Sequence, residues 1–195
     1  VDRAEKFKAG DEIDVTGFIT FNNKDNAISP DATAMRVQYV TFADQEEAPA
    51  EPTEPTAKTK YEHTFKSGDL VQDGGSVKLS ELTWNYDAAT TYVGYQDNGL
   101  QIGSKNNPQT EAWHLSTTLP AGSVVKGYKV NCSTASGGVS KVTVNAGDYT
   151  KSYDLTTNPT DYIDYAMSEE TTTFEFVLQA EAKAMYIKSF TIFVD

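Results

Sequence analysis

Between Tyr92 and Pro108 the run YVGYQDNGLQIGSKNNP gathers two tyrosines, two glutamines, three asparagines and an aspartate within seventeen residues. Those side chains suit sugar recognition, because a flat aromatic face stacks on a pyranose ring while amides and carboxylates bind its hydroxyls. Rings for such a platform come from Trp84, Tyr86, Tyr92, Tyr95 and Trp113, and polar partners from Asp97, Asn98, Gln101, Asn106 and Asn107. A competing role is packing. By strand alternation Trp84 shares a face with Leu82 and Tyr86, and Trp113 with Leu115, so both tryptophans also read as core. Tyr92 and Tyr95 fall on opposite faces, and with Leu100 and Ile102 pointing inward, Gln101 points out. The three glycines of the run allow sharp turns and close approach to a ligand, while its polar residues could equally solvate two turns.

Other chemistries find less support. The two histidines, His63 and His114, are far apart and match no HExxH or CxxC-type spacing, so no zinc site is expected. Asp69, Asp73, Asp87 and Asp97 lie in turn-like stretches and leave a structural calcium open, although no EF-hand loop is present. A glycosidase needs two carboxylates ~5–5.5 Å or ~6.5–9.5 Å apart, and no acidic pair sits in a recognisable motif. There is no GxSxG, and GGVSK and DGGSVK are glycine turns without the lysine and hydroxyl arrangement of a phosphate loop. No catalytic residue and no cofactor is expected.

The formal net charge is −12. Residues 61–195 contain no arginine, so a polyanion would meet repulsion and no bidentate guanidinium, and nucleic acid is disfavoured as a partner. Cys132 stands alone, which excludes an internal disulfide; its alternation with Tyr128 and Val130 makes it a buried strand residue. No apolar run approaches the ~20 residues of a membrane span. The sequence starts at Val1 instead of methionine, which predicts a processed product whose targeting segment has been removed.

The elements that must position these groups are strands. The chain has 24 threonines, 11 tyrosines and 9 phenylalanines, in short alternating runs separated by Gly, Asn and Asp. Ten strands are expected near 61–66, 77–86, 90–95, 99–103, 112–118, 124–133, 139–145, 149–155, 172–179 and 184–194. Only SELTWNY and AEAKAM have any helical appeal, enough for a turn or two at most. Along the last strand the apolar phase changes from Ile187 to Phe190, Ile192 and Val194, which requires an extra residue near Lys188–Ser189. Upstream, 44–60 reads DQEEAPAEPTEPTAKTK, a Pro/Glu-rich linker. Residues 1–43 supply about three strands, fewer than the five of an OB barrel. The organisation expected is therefore a short OB-like β segment, a linker, and at 61–195 a jelly-roll-like antiparallel β-sandwich, all-β throughout.

The blocks YVGYQDNGLQIGSKNNP, VVKGYKVNCSTASGGVSKVTVNAG (124–147) and KAMYIKSFTIFVD (183–195) resemble a β-sandwich accessory module common in surface and secreted proteins of gut Bacteroidales. The likeness covers nearly all of 61–195. More weakly, FKAGDEIDVTGFI is similar to the later strands of OB-like modules that precede such sandwiches. The resemblance implies an envelope or extracellular location and an accessory, non-catalytic role, and it carries over no functional residue. A carbohydrate-binding module is the leading expectation. A spacer or adhesin module docking a surface protein is the alternative, and an accessory domain of a secreted nuclease is a third, opposed by the charge.

Overall fold

A computed structural model describes residues 52–195. The expected OB-like strands of 1–43 and the first part of the linker lie outside the described residues.

Thirteen strands and no helix make up the described residues, in two antiparallel sheets packed face to face. The first sheet holds β1 (Thr59–Thr64), β4 (Val93–Gln96), β5 (Gly99–Ile102), β7 (Val124–Thr134), β10 (Thr160–Asp164), β11 (Glu169–Glu170) and β13 (Met185–Val194). The second runs β2 (Gly75–Leu79), β3 (Leu82–Tyr86), β6 (Trp113–Thr118), β12 (Thr173–Ala182), β8 (Val139–Ala146) and β9 (Tyr149–Asp154) in spatial order. The chain crosses repeatedly between the sheets, as a jelly-roll-like sandwich requires.

Alternation explains most of this. Phe174, Phe176 and Leu178 of β12 point inward, as do Tyr128, Val130 and Cys132 of β7. Between the layers Trp84 lies parallel to Phe176, with ring centroids 5.8 Å apart, and tilts against Phe190 at 4.8 Å. These rings close the interior from both sheets and bury large apolar area where a sandwich core is only ~10 Å thick.

Three expectations need correction. The strand expected at 77–86 is a hairpin, broken at Ser80–Glu81, where Ser80 takes φ 57 without the glycine that would signal it. Strands β10 and β11 were not anticipated, since these short edge segments owe their conformation to pairing with β7. The linker's expected end falls inside β1, and Lys60 already pairs with Phe193.

The expected irregularity in β13 is present. Ile187 pairs with Cys132 and Ser189 with Asn131, so Lys188 is the extra residue. One side of β13 is shared by two strands: β5 pairs with Met185–Ile187 and β1 with Ser189–Val194. Gly99 sits at the junction with φ +115, and a Cβ there would lie 2.5 Å from the Ile187 carbonyl oxygen.

At the far edge of the sandwich a polar clasp joins β9 to β10. Tyr149 Oη donates to Asp164 Oδ2 at 2.8 Å, Lys151 Nζ donates to the same oxygen at 2.8 Å, and Tyr153 Oη donates to the Ile163 carbonyl at 2.9 Å. Tyr128 Oη touches both hydroxyls, 3.1 Å from Tyr149 and 2.9 Å from Tyr153. The three tyrosine hydroxyl protons thus serve four contacts. Burial, with the bond to Asp164 adding to it, pushes the Tyr149 hydroxyl up to about 12. For Asp164 burial alone would raise the pKa, but Lys151, the Ala166 N–H and Tyr149 together hold the carboxyl below its ordinary range.

Two outcomes are expected. Gly99→Ala, which meets backbone and not a movable side chain, destabilises the fold by more than the ~1 kcal/mol typical of a substitution; urea unfolding with an unchanged midpoint would contradict this. Asp164→Asn costs about 1–2 kcal/mol at pH 7, discounted because the Lys151 side chain is 43% exposed. Because the folded pKa is depressed, that contribution is present above the unfolded value near ~4 and lost as pH falls through the folded one. Melting curves should show the two proteins converging in acid, and a gap constant from pH 7 to pH 2 would refute the assignment.

Candidate functional site

Two outward faces carry the polar groups. On the first sheet, β4 and β5 form an edge hairpin turned by Asp97–Asn98, with Gly94 opposite Gln101 and Gln101 opposite Tyr186. Tyr92 precedes β4 and folds back over it: a Cβ on Gly94 would lie 2.0 Å from Tyr92 Oη and 2.4 Å from Cζ. The ring therefore rests against glycine backbone while the residue stays 45% exposed. Gln101 donates through Nε2 to the Gly103 carbonyl at 2.8 Å, which fixes its amide and leaves its oxygen free of that bond. Beyond Tyr186 in the same row comes Ser133, 1% exposed, whose hydroxyl has no hydrogen-bond partner among the described residues.

The second sheet's outer face is polar along its whole width. Ser76, Asn85, Ser116, Glu175, Asn145 and Thr150 stand opposite one another in sequence across β2, β3, β6, β12, β8 and β9. Glu175 is held at both oxygens, by His114 Nδ1 at 2.8 Å and by Asn145 Nδ2 at 2.9 Å. Thr150 donates to Asn145 Oδ1 at 3.1 Å. A shallow depression of about 490 Å³ lies over the part of this row from Asn85 to Thr150.

Trp84 and Trp113 are removed from the list of binding residues, because both are 0% exposed and no ligand ring can reach them. Trp84 is enclosed by Phe174, Phe176 and Phe190, and Trp113 Nε1 donates to the Asp87 carbonyl at 2.8 Å. Tyr95 is 43% exposed but shares its face with Leu100, opposite to Tyr92. Asn106 belongs to the Ser104–Asn107 turn just past Gly103, whose N–H bonds to the Tyr92 carbonyl, so it sits at Tyr92's end of the hairpin. Asp97 and Asn98 cap the other end, about 16 Å of strand away. Tyr92, Gln101 and Asn106 are thus grouped, and Asp97, Asn98 and Tyr95 are apart from them. Tyr186 was missed because its role depends on a register with β5 that sequence spacing does not show.

The turn aspartates do not converge. Asp69 accepts from the Lys66 N–H and bonds His63 Nε2 at 2.8 Å, and Asp87 accepts from the His114 N–H at 3.1 Å. Among the described residues no three His, Cys, Asp or Glu side chains could hold one ion. Ser116 lies two residues from His114 on the same face of β6, but no hydrogen bond joins them among the described residues. Cys132 is buried, which pushes its thiol up. No helix among the described residues is long and apolar enough to cross a membrane.

The class defined by this geometry, over the described residues, is an antiparallel β-sandwich with polar groups on both outer faces. No protein-family model and no curated protein matches the chain. Solved structures similar to it include TmCBM61 in complex with β-1,4-galactotriose, at 16% identity and TM-score 0.41, covering 57% of this chain and 88% of that one. A carbohydrate esterase of family two from Cellvibrio japonicus aligns at 10% identity and TM-score 0.40, over 70% of this chain and 35% of that one. A Clostridium thermocellum xylanase fragment complexed with xylohexaose aligns at 13% identity and TM-score 0.41, over 69% of this chain and 28% of that one. At these values the likeness carries no site residue from one chain to another.

With both tryptophans of the chain buried, acrylamide should quench their emission weakly and added glycan should leave the emission maximum in place. Strong quenching in the folded protein would restore one of them as a surface ring.

Proposed function

We propose that this chain is a non-catalytic, extracellular carbohydrate-binding module, with a sugar seated on Tyr92 and held by Gln101 and its neighbours. The observation that carries the reading is the Tyr92 ring, braced against Gly94 and exposed beside an oriented amide in the same row as Tyr186. A surface ring that needs no rearrangement loses little entropy on binding, and an adjacent amide fixes the orientation of a hydroxylated ring. Asn106 lies at the same end of the hairpin and is the next contact. Asp97, Asn98 and Tyr95 would meet only a longer ligand that wraps the hairpin.

Absence of chemistry is part of the proposal. Glu175, Asp164, Asp69 and Asp87 all have partners within the fold, where they hold neighbouring segments together. The extracellular location follows the resemblance of the three sequence blocks.

The test is a glycan array probed with the full chain, followed by titration of Tyr92→Ala and Gly94→Ala with the tightest-binding glycan. Both variants should fold, and each should lose affinity by about tenfold, equivalent to 1.4 kcal/mol. The Gly94 variant is informative because it displaces the ring without removing it. Unchanged affinity in both would move the site elsewhere, and an array without any bound glycan would favour a spacer or adhesin module that docks a protein.

A further inference from the structure

The polar row on the second sheet is not used by the Tyr92 site, and its geometry selects a ligand of its own. Six strands lie side by side there, each contributing one outward polar side chain to the row from Ser76 to Thr150. Neighbouring strands are ~4.8 Å apart, so the row spans about 24 Å with one hydrogen-bonding group per step. That step is close to the length of one pyranose residue in an extended glycan.

The lining also defines the ligand's charge. Glu175 is the only ionisable side chain among the residues lining the depression, and both of its oxygens are already engaged by His114 and Asn145. No lysine or arginine lines it, so an anionic chain would find no counter-charge. Its side chains are almost all amides and hydroxyls, without an exposed ring for stacking, which disfavours an apolar peptide. The row is also partly organised before binding: Ser76 donates to Asn85, Thr150 to Asn145, and Asn145 to Glu175. Held side chains lose less freedom when a ligand arrives.

We infer that this face is a second binding site, which takes a linear, uncharged polysaccharide laid across the strands, with Asn85, Ser116, Asn145 and Thr150 as successive hydrogen-bonding stations. This rests on the carbohydrate reading of the module but not on the Tyr92 site, from which it is separated by the thickness of the sandwich. Binding here is by many weak polar contacts, so affinity depends on chain length more than on any one sugar.

Calorimetry on the full chain carrying Tyr92→Ala isolates this face. The probes are ladders of β-1,4-linked xylose and of β-1,4-linked glucose from disaccharide to hexasaccharide, with oligogalacturonates of equal length as the charged control. For at least one neutral ladder affinity should climb with each added sugar to about the hexasaccharide, and the oligogalacturonates should bind at least tenfold more weakly. Adding Asn145→Ala or Ser116→Ala should lower hexasaccharide affinity by about fivefold to tenfold, with the melting temperature checked to show that the fold is intact. Affinity independent of length, equal binding of the charged ladder, folded variants that bind undiminished, or no binding of either neutral ladder would each overturn the proposal. If Tyr92→Ala has no effect on any glycan while Asn145→Ala does, the first site fails and this one stands. The reverse pattern removes this site alone.

Discussion

One extra residue, Lys188, determines how the two halves of the sandwich fit together. The strand that contains it borders β7 along one side and must accept both β5 and β1 along the other. A regular strand of period two would place Ile187 and Phe190 on opposite faces. Inserting Lys188 between them brings both to the interior, where Phe190 meets Trp84 from the opposite sheet. The same insertion leaves room only for backbone beside it, which is why position 99 is a glycine with φ +115. Displacing that contact would move the β4–β5 hairpin, and with it the surface on which Tyr92 rests.

The two sheets solve the problem of an exposed outer face differently. The first covers part of its surface with aromatic side chains and the stems of charged ones: Tyr165 packs edge-on against Phe193 at 5.4 Å, with Lys60 Nζ 5.0 Å from the same ring. Pro55 also lies close above Gly127 on that face. Over the second sheet no described residue forms such a cover, and its outward positions are Ser, Thr, Asn, Gln, His, Asp, Glu and Lys, with valine at 139 and 177. A polar sheet face needs no cover, but nothing about solubility requires the middle row to be almost free of charge. The strongly acidic composition makes that neutrality more notable, since most carboxylates sit at turns and edges.

Much of the fold could be read from alternation. The bulge in β13, the inward set of β12, the burial of Cys132 and the outward direction of Gln101 all follow from the parity of apolar residues, because each strand has one wet and one dry side. Where the signal was not periodic, reading failed. Ser80 turns a hairpin without glycine, and β10 is ordered by its pairing with β7 and by the tyrosine clasp, neither of which is visible locally. The site was less legible for a similar reason. Tyr92, Gln101 and Asn106 are close in sequence and were found together, whereas Tyr186 joins them only through β13. The row across the second sheet draws on six strands scattered from Ser76 to Glu175, so no local motif could announce it. The tryptophans misled as ligand groups because the residue type that best binds sugar is also the one that best fills a sandwich core.

The polar groups of the sandwich largely serve to join strands. Here the protons are committed to holding strands in place. Tyr149 and Tyr153 spend theirs on β10, Tyr128 has one proton for two neighbours, and Glu175 accepts from two adjacent strands at once. His114 has one ring nitrogen occupied by Glu175. Side chains locked in this way make good fixed hydrogen-bonding stations, since their orientation is set before any ligand arrives.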